Sequence, residues 1–253
     1  MVIRNLPATV LQQVDPITTK RKPAVIDIPP LHRRNALRLL LSLAGAGVTL
    51  AVTRKLAAMA APGLAEIEGD VRVNGARGQP RQIVAPGDRV TTGPGGGATL
   101  VFGNDTFLLR ERTDVIFPVE GNTAERVLTV VSGKLMGVFG KQTLRMETPV
   151  ATIGIRGTGA YTEVYPDRTY FCLCYGKAEV RSRADPAYVE NLDTFHHDAP
   201  RNLYADPARR GGVSMEAADM VNHMDEELIL LESLVGRIPL FGPNPIEMPA
   251  KEK

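Results

Sequence analysis

From Gly69 onward, apolar and polar residues alternate in short runs, and each run stops at a turn built on glycine. A period of two places successive side chains on opposite faces of an extended chain, so these runs predict half-buried strands. Residues 69–75 read as a strand ending in Asn74-Gly75, the pair that best tolerates the positive φ angles of a two-residue hairpin. Pro86-Gly87-Asp88 opens a strand over 89–92, which stops at Gly93-Pro94-Gly95-Gly96-Gly97. Runs at 98–102 and 106–109 flank Gly103-Asn104-Asp105 as a second hairpin. Further strands are expected at 126–131, 134–139, 143–147, 161–164, 169–175 and 177–180, a spacing that suits a two-layer sandwich or a short β-solenoid.

Past Val180 the texture changes. Residues 181–212 are polar, hold Asp185-Pro186 and Asp206-Pro207, and predict an irregular loop region with one short strand near Leu192. Over 213–236, Ala217, Met220, Val221, Met224, Leu228, Leu231 and Val235 recur at three and four residues, the apolar face of an amphipathic helix capped by Ser214, with Glu216 in its first turn and Gly236 at its end. Four prolines in 237–253 make a tail that cannot continue it.

The first 62 residues follow other rules. Residues 1–31 are polar and interrupted by five prolines, a disordered lead. In 32–62, Arg33-Arg34 precede a run over 37–53 broken only by Arg38, followed by Arg54-Lys55 and Ala58-Met59-Ala60. This reads as a signal or a single anchor. The run is shorter than the roughly 20 apolar residues that span a bilayer, and Ala58-Met59-Ala60 has the form of a cleavage site. Arg33-Arg34-Asn35-Ala36-Leu37-Arg38 resembles a twin-arginine export signal, with Ala36 where Phe is usual. The alternatives are a cleaved signal, an uncleaved anchor with its N-terminus inside, or a buried core helix. Under the first two, everything beyond residue 62 lies outside the cytoplasm, in the periplasm or facing it from the inner membrane.

Composition narrows the function classes. The 253 residues are 43% hydrophobic and 23% charged, with 24 Gly, 19 Pro and 5% aromatics, which suits one all-β core. A net charge of +2 conceals an asymmetry: residues 1–60 hold nine Lys and Arg against two Asp, leaving the remainder acidic. An acidic globular part is a poor phosphate binder, so nucleic acid is excluded as a partner.

Several motifs occur in order: Gly69-Asp70-Val71, Pro86-Gly87-Asp88-Arg89-Val90-Thr91-Thr92-Gly93, Ala98-Thr99-Leu100-Val101-Phe102, Val131-Ser132-Gly133-Lys134-Leu135, and Thr148-Pro149-Val150-Ala151-Thr152-Ile153-Gly154-Ile155-Arg156-Gly157-Thr158. Together they resemble the FecR domain of bacterial envelope proteins over residues 66–180. The resemblance implies a periplasmic all-β domain and, in the family's best-known members, a relay from an outer-membrane transporter to a sigma factor. The lead before Arg33 is too short and Pro-rich for a folded sigma-binding module.

Candidate chemistry is sparse. Gly154, Gly157 and Gly159 precede a strand rather than a helix, so they predict a bend or bulge and not a phosphate cradle. Arg156 lies in an apolar stretch, where its guanidinium is expected to tether carbonyls or an acid between layers, or a ligand carboxylate. Cys172 and Cys174, two apart in a strand, share a face. Their Cβ atoms stand roughly 6 to 7 Å apart, too far for an unstrained disulfide. They read either as small buried hydrophobes or as two ligands of a transition metal or haem completed by His196 or His197, since adjacent residues in a strand point to opposite faces. No G-x-S-x-G or H-E-x-x-H occurs, and His196-His197-Asp198 lacks a nucleophile, so no enzyme is expected.

The leading expectation is an exported, non-catalytic envelope protein without a cofactor, binding another envelope protein or a cell-wall polymer through strand edges and loops. The competing expectations are a metal- or haem-binding periplasmic sensor and a sigma-factor regulator.

Overall fold

The computed structural model describes residues 60–120 and 126–242. The lead, all but the last residues of the export segment, and the tail beyond residue 242 lie outside the described residues. The chain forms β1 (Gly63–Glu68), β2 (Val71–Val73), β3 (Ala76–Arg77), β4 (Arg89–Thr92), β5 (Gly97–Phe102), β6 (Asp105–Leu109) and β7 (Asp114–Glu120). The longer β8 (Arg126–Val138), β10 (Ala151–Val164) and β11 (Arg168–Ser182) follow, with β9 (Leu144–Glu147) between the first two. The chain closes with β12 (Val189–Thr194), β13 (Ala199–Tyr204), β14 (Met215–Ala217) and helix α1 (Asp225–Leu234).

The fold is all-β. Its strands join one hydrogen-bonded network with the main order β14-β13-β11-β10-β9-β8-β7-β4-β2-β3, and β1-β5-β6 branch from β8. Pairing is antiparallel except between β8 and β9, so the strands do not stack as the parallel rungs of a solenoid. Asn74 and Gly75 take φ of 52° and 82°, the turn geometry expected between β2 and β3.

Each long strand changes partners at a glycine. β8 pairs with β7 up to Ser132 and with β6 from Leu135, with Gly133 at φ 91° between them. β10 pairs with β9 up to Ile155 and with β8 from Gly159, and Gly157 at φ 62° forms the bulge expected there. β11 pairs with β13 up to Leu173 and with β12 from Gly176, whose φ is 93°. Sequence breaks expected at Gly133 and Gly176 are therefore bends in continuous strands, because glycine lets the ladder resume at a new angle instead of ending.

Two hydrophobic clusters result. The larger includes Leu100, Phe107, Phe117, Leu128, Ile153 and Phe171. The smaller includes Met136, Tyr161, Tyr170, Cys172, Leu228 and Leu231, on the face covered by α1.

Three expectations are corrected. Residues 181–212 supply two strands, β12, which is the one expected near Leu192, and β13, which is not, so the sheet does not stop at 180. It also starts before residue 66, with β1, and includes β7, which the turn signals did not mark. The helix expected over 213–236 is shorter: residues 215–217 pair with β13, Ser214 is buried, and Asn222 at φ 57° leaves the right-handed region. Helix α1 starts at Asp225, where Glu227 accepts a hydrogen bond from the Met224 N–H at 3.0 Å and three acids oppose the dipole's positive end. Gly236, at φ 69°, follows its end as expected. Among the described residues no helix is long and apolar enough to cross a membrane.

A Cβ at Gly133 would stand 2.3 Å from the Thr113 Cα and 2.5 Å from the Arg112 carbonyl oxygen, whereas one at Gly157 meets nothing closer than 3.9 Å. Gly157→Ala is expected to cost about 1 kcal/mol of left-handed strain, and Gly133→Ala about 3 kcal/mol or more because backbone must also move. Urea unfolding of the two variants measures the difference; equal losses would show that the bend at Gly133 relaxes freely.

Candidate metal centre

β11 builds one wall of the site. Phe171 and Leu173 face the larger cluster, while Tyr170 and Cys172 face the smaller one. Ladder partners step from Ala160↔Leu173 to Gly159↔Tyr175, so Cys174 is the extra residue of a bulge. Cys172 and Cys174 lie on the same side, as residues two apart in a strand do, and the bulge brings Tyr175 to that side as well; both cysteines are fully buried and unbridged.

β13 ends its pairing at Leu173 and β12 begins its own at Gly176, which leaves a gap beside the bulge. The β12–β13 turn fills it. His197 donates its backbone N–H to the Cys174 carbonyl at 2.8 Å and sits at φ 45°, a sparsely populated conformation that the surrounding contacts hold. Thr194 braces the turn by donating to Asp198 at 2.9 Å. His197 Nδ1 thereby lies 3.5 Å from Cys172 Sγ.

His223 closes the site from the segment ahead of α1. Its ring stacks on Tyr161 with centroids 4.5 Å apart, and its Nε2 lies 3.1 Å from His197 Nδ1. The ligand atoms of Cys172, Cys174, His197 and His223 all fall within 4.8 Å of one another. Both of the chain's cysteines and two of its four histidines thus share one buried cluster, with His196 against its edge.

The outer hydrogen bonds decide which nitrogens carry protons. His223 Nδ1 donates to the Val221 carbonyl at 2.6 Å, and His197 Nε2 donates to Asp225 Oδ1 at 2.9 Å. In the neutral rings this leaves His223 Nε2 and His197 Nδ1 as lone pairs aimed at each other across 3.1 Å. Such a contact needs a cation between the rings, either a proton or a metal ion.

The thiols strengthen that demand. Cys172 is pulled well below the usual thiol range, first by the hydrogen bond from Cys174, against its burial, and then by His197 and His223. Cys174 is pushed well up by burial and by the neighbouring Cys172 thiolate. Burial opposes protonation of His197, but the Cys172 thiolate and Asp225 outweigh it and raise its pKa. A lowered thiol, a second sulfur and two imidazole nitrogens form a donor set of the kind that could hold a metal ion.

His196 is not a member of this set. Its Nε2 lies 2.9 Å from both Asp225 oxygens, and it shares that carboxylate with His197; the two lie in a turn rather than a strand, so they do not point to opposite faces as expected. Arg156 is corrected as well. It is exposed, because Ile153 and Ile155 take the inward positions and Arg156 falls outward just before the bulge, so it does not lie between layers as expected. It lines a groove of about 470 Å³ with Lys177, Glu179 and Asp193. Sequence reasoning missed His223 and Asp225 because both fell within the stretch read as helix.

Behind the site, Glu163 is 2% exposed and accepts hydrogen bonds from Tyr161 at 2.7 Å, from Asn222 at 2.7 Å and from Tyr165. It thereby anchors the residue next to His223.

These features define an antiparallel all-β domain with a buried two-cysteine, two-histidine cluster. Two solved structures, both described as a "putative anti-sigma factor" from Parabacteroides distasonis ATCC 8503, are similar to it, each with a TM-score of 0.43 and 13% identity. The similarity covers 57% of this chain and 64% of theirs, less than two thirds of their length. No protein-family model and no curated protein matches the chain.

Burial raises the Glu163 pKa, but the three donors outweigh it and hold the carboxyl below its ordinary value of 4.5. A depressed folded pKa adds stability that is present above the unfolded value and lost as pH falls through the folded one. Stability is therefore expected to drop as pH falls below the usual Glu range, and Glu163→Gln is expected to cost about 1 to 3 kcal/mol at neutral pH and flatten that drop. Urea midpoints measured across the acid range check this; an unchanged acid profile in the variant would refute it.

Proposed function

We propose that this chain is an exported, non-catalytic binding domain of sensor type that holds one zinc-class ion through Cys172, Cys174, His197 and His223. One observation supports it above the rest: two imidazole nitrogens face each other at 3.1 Å beside the Cys172 sulfur, with both outer nitrogens already committed. Ideal tetrahedral zinc, with bonds of about 2.3 Å to sulfur and about 2.0 Å to nitrogen, places donors roughly 3.3 to 3.8 Å apart. The sulfur–nitrogen pair at 3.5 Å falls in that range, the nitrogen pair at 3.1 Å lies just below it, and all four donors lie within 4.8 Å of one another, so small side-chain shifts would bring them onto one ion.

Ligand chemistry favours a borderline-soft ion, since thiolate and imidazole select zinc over calcium or magnesium. Four converging donors suit a single ion better than haem iron, which takes protein donors only on its two axial sides. Four protein ligands leave no position for water or substrate, which supports a holding role rather than hydrolysis. The Asp225 contact to His197 is the outer-shell carboxylate that orients a ligating imidazole.

Recognition through strand edges is the other reading: β3 and β14, which end the main order, run only two and three residues, but β1 and β12, six residues each, pair with one neighbour and would be the edges to carry it. A sigma-factor role rests on the motif resemblance alone, and export rests on the Arg-flanked leader.

Elemental analysis of the purified full chain tests the proposal. About one zinc per chain is expected, falling below a tenth of that in Cys172→Ala/Cys174→Ala, and cobalt exchange is expected to give thiolate charge-transfer absorption. A protein that takes up no metal when folded with zinc, or a double variant that keeps it, refutes the assignment.

A further inference from the structure

We infer that the bound ion acts as a clasp: its occupancy governs whether the C-terminal cover, residues 218–234, stays closed over the smaller hydrophobic cluster. The inference rests on the metal reading above and concerns what the ion controls.

Three ligands belong to the sheet and its turn, Cys172 and Cys174 on β11 and His197 between β12 and β13. The fourth, His223, belongs to the cover. The ion would also reach the cover a second way. His197 ligates through Nδ1 while its Nε2–H donates to Asp225, the first residue of α1, at 2.9 Å. A cation on Nδ1 makes that N–H a stronger donor and tightens the contact. The cover is therefore tied at two points, directly at His223 and through His197 at Asp225.

Apart from these ties the cover is held by side-chain packing and scattered hydrogen bonds rather than by a strand ladder. Residues 218–224 form no helix or strand, and Met220, Val221 and Met224 are exposed. Helix α1 has ten residues, shorter than the roughly 12 to 15 at which an isolated helix becomes even marginal, and it buries two leucines, Leu228 and Leu231. The cover's other attachments are scattered hydrogen bonds: Thr106 donates to the Leu231 carbonyl at 2.9 Å, Arg110 reaches Glu227 and the Asn222 carbonyl, Tyr175 donates to the buried Glu232, Asn222 donates to Glu163 at 2.7 Å, Tyr170 donates to the Asp219 carbonyl at 3.1 Å, and His196 meets Asp225 at 2.9 Å. Beneath it lie Met136, Tyr161 and Tyr170, buried side chains of β8, β10 and β11 that opening would uncover. An ion that binds the closed state better than the open one shifts the balance towards closure by that difference in affinity.

Hydrogen exchange on the full chain tests the clasp, comparing zinc-loaded protein with protein stripped by a chelator, and cobalt absorbance reports loading independently. With free zinc at about 100 times its Kd, exchange across 218–234 is expected to slow by up to about a hundredfold, while the paired core of β10 changes little. Asp225→Asn keeps all four ligands but removes the outer-shell carboxylate, so it is expected to need about 10 to 100 times more cobalt for full loading and, compared at full loading, to lose part of the slowing in α1. Normal loading with equal exchange in 218–234 in both states overturns the clasp and leaves the metal assignment standing. Full loading with wild-type slowing in Asp225→Asn overturns the second tie. Absence of any cobalt signal overturns clasp and metal assignment together.

Discussion

Three strands turn corners without breaking, and the rest of the domain is arranged around them. A buried backbone must keep its hydrogen bonds, so a strand that leaves one neighbour has to meet another almost at once. Gly133, Gly157 and Gly176 allow this in β8, β10 and β11 by taking positive φ where a side chain would be strained. The changes of partner give the sheet two buried clusters.

The site is a by-product of the same constraint. Where β11 passes from β13 to β12 its outer edge is briefly unpaired, and the Cys174 carbonyl is satisfied by the His197 N–H from the intervening turn. That bond draws an imidazole over two buried sulfurs. His223, oriented by Val221 and stacked on Tyr161, closes the fourth side. Every donor is thus set by contacts that would exist without an ion, which is the preorganisation a metal centre requires.

Much of the fold was legible in the chain. Period-two runs and turn dipeptides located β2, β4, β5, β6 and β9 to within a residue or two, since local backbone chemistry alone decides those elements. Continuity through Gly133 and Gly176 was not legible, because a glycine that ends a strand and one that bends it look alike. β13 hid in a polar stretch: as a late addition to an existing sheet it takes its order from β11 and needs little pattern of its own. The stripe over 213–236 misled for the opposite reason. Its spacing was helical, but β14 pairing and the left-handed Asn222 overrode it for the first half. Of the site, the sequence pattern brought out the two cysteines and His197 as candidates. His223 and Asp225 are ordinary members of a helical stretch until the chain folds, and Arg156 looked buried only because the bulge that turns it outward was not yet placed.

X-ray absorption at the zinc edge of the purified full-length protein tests the metal centre most directly. A first shell of two sulfurs at about 2.3 Å and two imidazole nitrogens at about 2.0 Å is predicted. A shell of nitrogen and oxygen alone would contradict the assignment, because it would place the ion away from Cys172 and Cys174.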